Sequence, residues 1–185
     1  MDKNEWNEEQ LRQLDQARFD ERKERARRTK VHGIIPFRFF SAVSTECREL
    51  FIDGHFYGCV SLVQALADGI SQFLRGIHSV GAKNDPRKRV ERLRDAGAIT
   101  SGSCNAFLQI WGNDRNTFHH LNPDIPTDVA VLEERAEECV NCLYTIESEL
   151  FAFDISNGAL VPKNRAYWSE IDPEHLQVFL RLGGH

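Results

Sequence analysis

The strongest constraint on the fold is a helical pattern of apolar residues between positions 55 and 77. Apolar side chains recur there at intervals of three and four, the spacing of neighbours on one face of an α-helix. They are Phe56, Cys59, Val60, Leu62, Val63, Leu66, Ile70, Phe73, Leu74 and Ile77. Because these positions cover a broad face, the segment is expected to pack against several neighbours at once. The sequence therefore predicts a helix at the centre of a helical core.

Four more segments of the chain carry helix signals. Asp85 and Pro86 supply an N-cap and a first helical residue, and Gly97 is a C-terminal glycine in the expected place. Ser103 is the predicted N-cap of the next helix. No segment shows convincing strand alternation except a short piece near Ala159–Val161. With the central helix, the predicted helices cover residues 37–51, 55–77, 86–96, 103–112 and 129–151.

These signals divide the chain into three parts and predict an all-α fold. Residues 1–32 form a charged N-terminal helical arm, residues 33–152 a bundle of four or more core helices, and residues 153–185 an irregular C-terminal tail that packs on the bundle. The arm is interpreted as a packing or solvated helix, with contact to RNA as the alternative. Tyr167–Trp168 is interpreted as an anchor for the tail, with stacking on a nucleobase as the alternative. Asp172–Pro173 is predicted to begin a short terminal helix.

Composition limits the classes of protein to which the chain can belong. It has 185 residues, of which 41% are hydrophobic, and a formal net charge of −5. This is ordinary for a globular domain that buries a core without disulfides or metals. No apolar run is long enough to span a membrane, and no secretory signal is recognisable. The five cysteines have neither disulfide nor zinc spacing and are expected in the core. We therefore expect a cytoplasmic protein without metal, cofactor or membrane contact.

Charge is distributed unevenly along the chain. Residues 83–94 hold six cations against two acidic residues, whereas residues 128–154 hold one arginine against eight acidic residues. A basic helix on an acidic protein is a candidate surface for phosphate, with Arg87, Lys88 and Arg89 as its candidate substrate-binding cations. The alternative is a solvated face that pairs in part with the acidic helix.

One cluster of polar residues has the composition of a catalytic site. Residues 113–120 read Asn-Asp-Arg-Asn-Thr-Phe-His-His and lie between a helix end and a proline-stiffened loop. Arginine supplies a fixed charge and a fork of donors for phosphate, and histidine exchanges a proton near neutral pH. An amide can orient either group. These are the parts needed for metal-independent cleavage of RNA, whose own 2′-hydroxyl is the nucleophile.

The cluster resembles the Arg-Asn-x-x-x-His motif of the HEPN superfamily, from Arg115 to His120. The predicted architecture of residues 37–152 is also similar to the helical bundle of HEPN domains. By this resemblance, Arg115 and His120 are the catalytic pair and Asn116 is their polar supporter. Arg115 would stabilise charge on the phosphorane-like transition state, and His120 would act as general base or acid.

The resemblance also implies a setting and partners. Many HEPN proteins are metal-independent ribonucleases of toxin–antitoxin, antiviral-defence and RNA-processing systems, and they dimerise so that two motifs face one cleft. We therefore expect a homodimeric endoribonuclease that acts on RNA, with an antitoxin or another defence-system protein as a further partner. The alternative is a non-catalytic HEPN module for dimerisation or for binding a nucleotide or RNA. A chance motif in an unrelated helical protein is the third interpretation.

The assignment within the motif leaves one question open. On a regular helix, positions i and i+5 are about 140° apart, whereas positions i and i+4 nearly align. Arg115 would then share a face with His119 rather than with His120. A distorted turn or dimerisation would reconcile the family spacing with this geometry. We therefore assign His120 to catalysis and keep His119 as the second candidate.

Asp68 is the remaining candidate site residue. A carboxylate in the apolar central helix must be paired or face a cleft. HEPN domains often carry a polar residue on this helix near the active centre, so Asp68 is grouped with the candidate substrate-binding residues. Its expected partner is either Arg115 or a cation of another helix.

Overall fold

The computed structural model describes residues 8–81, 84–112, 118, 128–168 and, for the backbone only, 179–180. Within these ranges the protein is mainly helical, as the periodicity predicts, with two small antiparallel sheets. The helices are α1 (Glu8–Arg28), α2 (Arg38–Ile52), α3 (Phe56–His78), α4 (Pro86–Asp95), α5 (Ser101–Trp111) and α6 (Val129–Leu150). The strands are β1 (Ile34–Ile35), β2 (Phe153–Ser156), β3 (Ala159–Pro162) and β4 (Phe179–Leu180).

The central position of α3 is confirmed. This helix contacts α2, α4, α5 and α6. Its fully buried apolar side chains include Cys59, Val60, Val63, Ala67, Ile70 and Leu74. Complete burial of an aliphatic side chain of this size contributes about 1.5–3 kcal/mol, so the broad apolar face of α3 is a principal source of stability.

The ends of α4 follow the local sequence signals. The carboxylate of Asp85 accepts a hydrogen bond from the backbone N–H of Lys88 at 3.1 Å, and Pro86 occupies the first turn. The same hydrogen bond is the main cause of a lowered pKa at Asp85. At the other end Gly97 has φ +71°, a left-handed conformation that glycine adopts without strain. Both predicted boundaries are confirmed.

The N-terminus of α5 differs from the prediction by three residues. Thr100, not Ser103, is the N-cap, and its hydroxyl accepts the backbone N–H of Ser103 at 3.2 Å. The Ser103 side chain is buried and donates instead to the Glu149 carboxylate of α6 at 2.5 Å. Thr100 and Ser103 are both good caps at a spacing of three residues, so local preference alone does not separate them. The contact with α6 decides the boundary.

Ion pairs attach α1 to the bundle, and none of its residues is buried. Three arginines on one side of the helix face acidic residues of α6 and of the turn after α2. The pairs are Arg22–Asp53 at 2.7 Å, Arg25–Glu133 at 3.3 Å, Arg28–Glu137 at 2.7 Å and Arg28–Glu133. The acidic face of α6 therefore pairs with the N-terminal arm.

Two aromatic residues of the tail are buried. Tyr167 and Trp168 lie in a short 3₁₀ turn and are both buried. The Tyr167 hydroxyl donates to the Ala98 carbonyl, and the His78 ring lies 3.0 Å from the same oxygen. Burial raises the pKa of Tyr167, so this hydroxyl stays protonated at neutral pH. The predicted helix start at Asp172–Pro173 lies outside the described residues.

Strands β2 and β3 form a hairpin in which the predicted piece near Ala159–Val161 is confirmed as β3. Its two-residue turn has positive φ angles at Asn157 and Gly158, the geometry of a type I′ turn. The second sheet joins β1 to β4, with Ile34 opposite Leu180.

The five cysteines are buried as thiols and form no disulfide, which confirms their place in the core. Burial raises the pKa of the Cys142 thiol to about 11 and raises that of Cys59 as well, so neither is a nucleophile at neutral pH. In the described part of the chain, no group of side chains is arranged to hold a metal ion. No helix in that part is long and apolar enough to cross a bilayer.

Candidate functional site

The four motif residues Arg115, Asn116, His119 and His120 lie outside the described residues. The structure does describe what surrounds them: the end of α5 at Gly112, Phe118 within the motif, and the start of α6.

Phe118 anchors the middle of the motif to the bundle. Its side chain is buried, and its ring centroid lies 6.0 Å from that of Tyr57 in the first turn of α3. The first turn of α3 therefore borders Phe118, the one residue of the motif segment that the structure describes.

The C-terminal end of α5 is bound by an arginine of α6. Arg135 donates through Nη2 to the carbonyl oxygens of Gln109 at 3.0 Å and Ile110 at 2.9 Å. Its Nη1 donates to Glu138 one turn further along α6, at 2.6 Å. The last carbonyls of a helix lack intrahelical partners and carry the negative end of the helix dipole. A guanidinium donates hydrogen bonds to these carbonyls, and its positive charge complements the negative end of the dipole.

Two other helices also hold this end of α5. From α4, Arg87 donates through Nη2 to the carbonyl of Gly112, the last described residue before the motif. From α3, the Gln64 side-chain amide donates to the Ile110 carbonyl at 3.2 Å. Side chains from three helices thus meet at the point where the chain leaves α5.

A carboxylate of α6 holds the N-terminal end of α5. One oxygen of the Glu149 carboxylate accepts the backbone N–H of Thr100 at 2.8 Å, and the other accepts the Thr100 and Ser103 hydroxyls. A carboxylate at a helix N-terminus and a guanidinium at its C-terminus both complement the dipole. Because Glu149 and Arg135 belong to α6, that single helix sets the register of α5.

A polar cleft of about 580 Å³ lies beside the end of α5. Its polar lining comes from α4, α5 and α6 and comprises two guanidinium groups, two side-chain amides and one carboxylate. These belong to Arg87, Arg135, Asn105, Gln109 and Glu138. Gly112, the last described residue before the motif, also lines it.

Asp68 pairs with Arg89 of α4, so the predicted cation of another helix is its partner. The Asp68 Oδ1 and Arg89 Nη2 atoms are 3.2 Å apart, and Arg89 Nη1 donates to the Ser71 hydroxyl at 3.0 Å. The Arg89 side chain is only 2% exposed. The pair therefore lies between α3 and α4 rather than in an open groove.

The three adjacent cations of α4 do not form one surface, which corrects the sequence interpretation. Arg87 and Lys88 are exposed, but Arg89 points into the bundle with Leu93, four residues later on the same face. Lys88 lies 3.6 Å from the Asp85 carboxylate that caps its own helix. Arg87 and Lys88 are thus the accessible cations of this group, and Arg89 is a buried partner of Asp68.

The sequence interpretation missed the residues that hold α5. Arg135 is the single cation among the acidic residues of 128–154, a signal that could have marked it as a paired residue. Gln64 and Glu149 carry no comparable signal, because a polar residue in a helix shows its partner only after the helices pack. In comparisons with known proteins, no family model, curated protein or solved structure matches the chain.

Proposed function

We propose that the protein is a metal-independent endoribonuclease of HEPN type, acting in a toxin–antitoxin or phage-defence setting. The observation that carries the proposal is the Arg115–His120 sequence in a helical chain. It is supported by Gly112, the residue before the motif segment, which Arg87 binds and which lines a polar cleft with two arginines.

In the proposed reaction, the 2′-oxygen of a ribose attacks the adjacent phosphorus and the bond from phosphorus to the 5′-oxygen breaks. A histidine accepts the proton of the 2′-hydroxyl, and a protonated group supplies one to the leaving 5′-oxygen. His120 takes one of these roles, with His119 as the second candidate. Arg115 stabilises the charge that develops on the phosphorane, and Asn116 orients the pair. The products carry a 2′,3′-cyclic phosphate and a 5′-hydroxyl.

The surface cations of α4 provide the proposed RNA contact. Arg87 and Lys88 are exposed, and Arg87 lines the same cleft as Gly112. Contacts of this type act on phosphate and carry no sequence information. Replacing Arg87 and Lys88 together by glutamate should therefore weaken binding evenly across RNA sequences and flatten its salt dependence. Arg89 must stay in place in this test, because its loss would leave the Asp68 carboxylate without its partner.

Exposed apolar residues near the motif support the proposed homodimer. Tyr57 is 38% exposed and Val129 is 63% exposed, and both line a shallow cleft of about 320 Å³. Tyr57 also contacts Phe118 of the motif. A second copy covering this area would bring two motifs together. Light scattering at micromolar concentration should show a dimer, and a strictly monomeric species would count against it.

The test of the proposal is cleavage of single-stranded and structured RNA in the presence of EDTA. The wild-type protein should cut, and His120→Ala should bind RNA without cutting it. His119→Ala is the matched control, since it removes the neighbouring imidazole; it should retain activity if His120 is the catalytic residue. RNA binding by the wild-type protein without cleavage would instead support a non-catalytic HEPN module.

A further inference from the structure

We propose that α1 is a strap held on the bundle by charge, and that polyanions release it as one unit while the bundle stays folded. Release uncovers the surface beneath the helix, here called the strap surface. It consists of the carboxylates of Asp53, Glu133 and Glu137 and the aromatic rings of Phe51 and Phe56. This property of the arm does not depend on the proposed ribonuclease function.

The contacts that hold α1 on the bundle are made by arginines. No residue of the helix is buried, and residues 8–20 are exposed apart from the half-buried Leu14. Arg22, Arg25 and Arg28 make the ion pairs with the bundle, and every side chain in these pairs is partly exposed. Salt screens such pairs, whereas apolar burial in the core carries no charge to screen. The strap should therefore detach under conditions in which the bundle stays folded.

Arg25 makes the closest approach of the strap to the core. Its guanidinium lies over the Phe56 ring, 5.1 Å from the ring centroid. Gly54, which has φ +83°, leaves room for this approach, since a Cβ there would lie 3.2 Å from Arg25 Nη1. Arg28 lies over the Phe51 ring in the same way, at 5.8 Å. The two arginines thus cover aromatic rings of the core while they pair with carboxylates.

The chain directly after α1 is anchored without these arginines. Thr29 is 8% exposed, and Ile35 is completely buried. The His32 ring lies 3.1 Å from the carbonyl oxygen of Phe151, and β1 contacts α2. Detachment should therefore end near Thr29, which lets α1 leave as one helix without disturbing the bundle.

The charge of the strap identifies the class of effector that releases it. Residues 22–28 hold five cations against one acidic residue, Glu24. A polyanion competes with the carboxylates of the strap surface for the same guanidinium groups. Because it binds these groups only in the released arm, it shifts the equilibrium towards release. A chain of phosphates also binds several arginines at once, which a single phosphate cannot do.

Hydrogen exchange of the whole chain tests the strap. A short linear polyphosphate is compared with orthophosphate at the same ionic strength, so that screening is equal in both samples. With polyphosphate, exchange of the amides of residues 22–28 should become at least about tenfold faster, while exchange in α3 stays within about twofold. Orthophosphate at about 0.1 M ionic strength should leave α1 protected, whereas NaCl at about 1 M, where the Debye length is about 3 Å, should release it without a polyanion.

Variants on both sides of the contact test whether the ion pairs hold the strap. Glu133→Gln with Glu137→Gln removes the carboxylates that bind Arg28. In this double variant, α1 should exchange fast without polyphosphate, and an apolar fluorescent dye should bind several-fold more than to the wild-type protein. Arg22→Gln with Arg28→Gln should give the same result from the side of the arm. Glu134→Gln is the matched control, because Glu134 is an exposed carboxylate of the same helix, and it should behave as the wild-type protein.

Three results would overturn the proposal. Unchanged protection of residues 22–28 in polyphosphate and in high salt would show that charge does not hold the strap. Equal release by orthophosphate and polyphosphate would show that polyanions have no particular effect. Loss of protection in α3 together with α1 would show that the arm and the bundle unfold as one unit. RNA cleavage in EDTA is measured separately, so its outcome leaves the strap proposal unaffected.

Discussion

Replacing Asp68 by alanine should destabilise the protein strongly, although Asp68 lies beside no motif residue that the structure describes. The carboxylate is the charged partner of Arg89, whose guanidinium is 2% exposed between α3 and α4. Alanine leaves that guanidinium without its counter-charge in a site that water barely reaches. An uncompensated buried charge of this kind costs about 3–5 kcal/mol.

The expected loss of stability is smaller than this range because the Asp68 side chain is 25% exposed. Water can enter the space that the carboxylate leaves, and the Ser71 hydroxyl still accepts a bond from Arg89. We therefore expect the free energy of unfolding to fall by about 2–3 kcal/mol. For a chain of this size, this corresponds to a melting temperature lower by about 5–10 °C. Urea unfolding followed by circular dichroism measures the change.

Two controls make the result interpretable. Asp95→Ala removes the partner of Arg94 from an exposed ion pair on α4. It should lower the free energy of unfolding by less than about 0.5 kcal/mol. The double variant Asp68→Leu with Arg89→Met replaces the pair by apolar groups and should regain most of the lost stability. If Asp68→Ala unfolds within 0.5 kcal/mol of the wild-type protein, Arg89 is not a buried, dependent charge and this reasoning is refuted.

Three further predictions concern the arm and the tail. Arg28→Ala removes the ion pairs with Glu133 and Glu137. It should speed trypsin cleavage within α1 several-fold and change the free energy of unfolding by less than about 1 kcal/mol. Equal cleavage rates in the variant and the wild-type protein would show that these ion pairs do not hold the arm. Burial raises the pKa of Glu133, but hydrogen bonds from Arg25 and Arg28 outweigh this effect and hold the pKa below its ordinary value of 4.5. The ionised Glu133 therefore stabilises the folded protein above pH 4.5, and this stabilisation is lost as the pH falls through the lowered pKa. Stability measured from pH 7 to pH 3 should therefore fall less steeply in Glu133→Gln than in the wild-type protein. Tyr167→Phe leaves the buried Ala98 carbonyl without its donor and should cost about 1–3 kcal/mol in urea unfolding, and an unchanged midpoint would contradict the anchoring role.

The helices were predictable because their periodicity is long and their ends carry capping residues. The apolar positions of α3 extend over six turns, so an error at one position does not change the prediction. The pairing of β1 with β4 was not predictable, because each strand has two residues and their partners are about 145 positions apart. A two-residue strand has no detectable alternation.

The orientation of charged side chains was the main feature that the sequence did not predict. Arg87, Lys88 and Arg89 look alike as a basic run, yet the turn of the helix places only the third among apolar neighbours. Arg135 stands out as the single cation of residues 128–154, but the sequence does not identify the carbonyls of another helix that it binds. The resemblance rests on residue types alone, whereas the contacts that hold α5 depend on how the helices pack.

The most direct test of the proposed chemistry is an RNA substrate with a single 2′-deoxyribose at a site that the protein cuts. The mechanism requires the 2′-hydroxyl of that nucleotide as nucleophile, so its removal should abolish cleavage there in EDTA. Neighbouring sites should still be cut, and their products should end in a 2′,3′-cyclic phosphate. Cleavage of the deoxy-substituted position at the normal rate, or products that end in a free 3′-hydroxyl, would contradict the account.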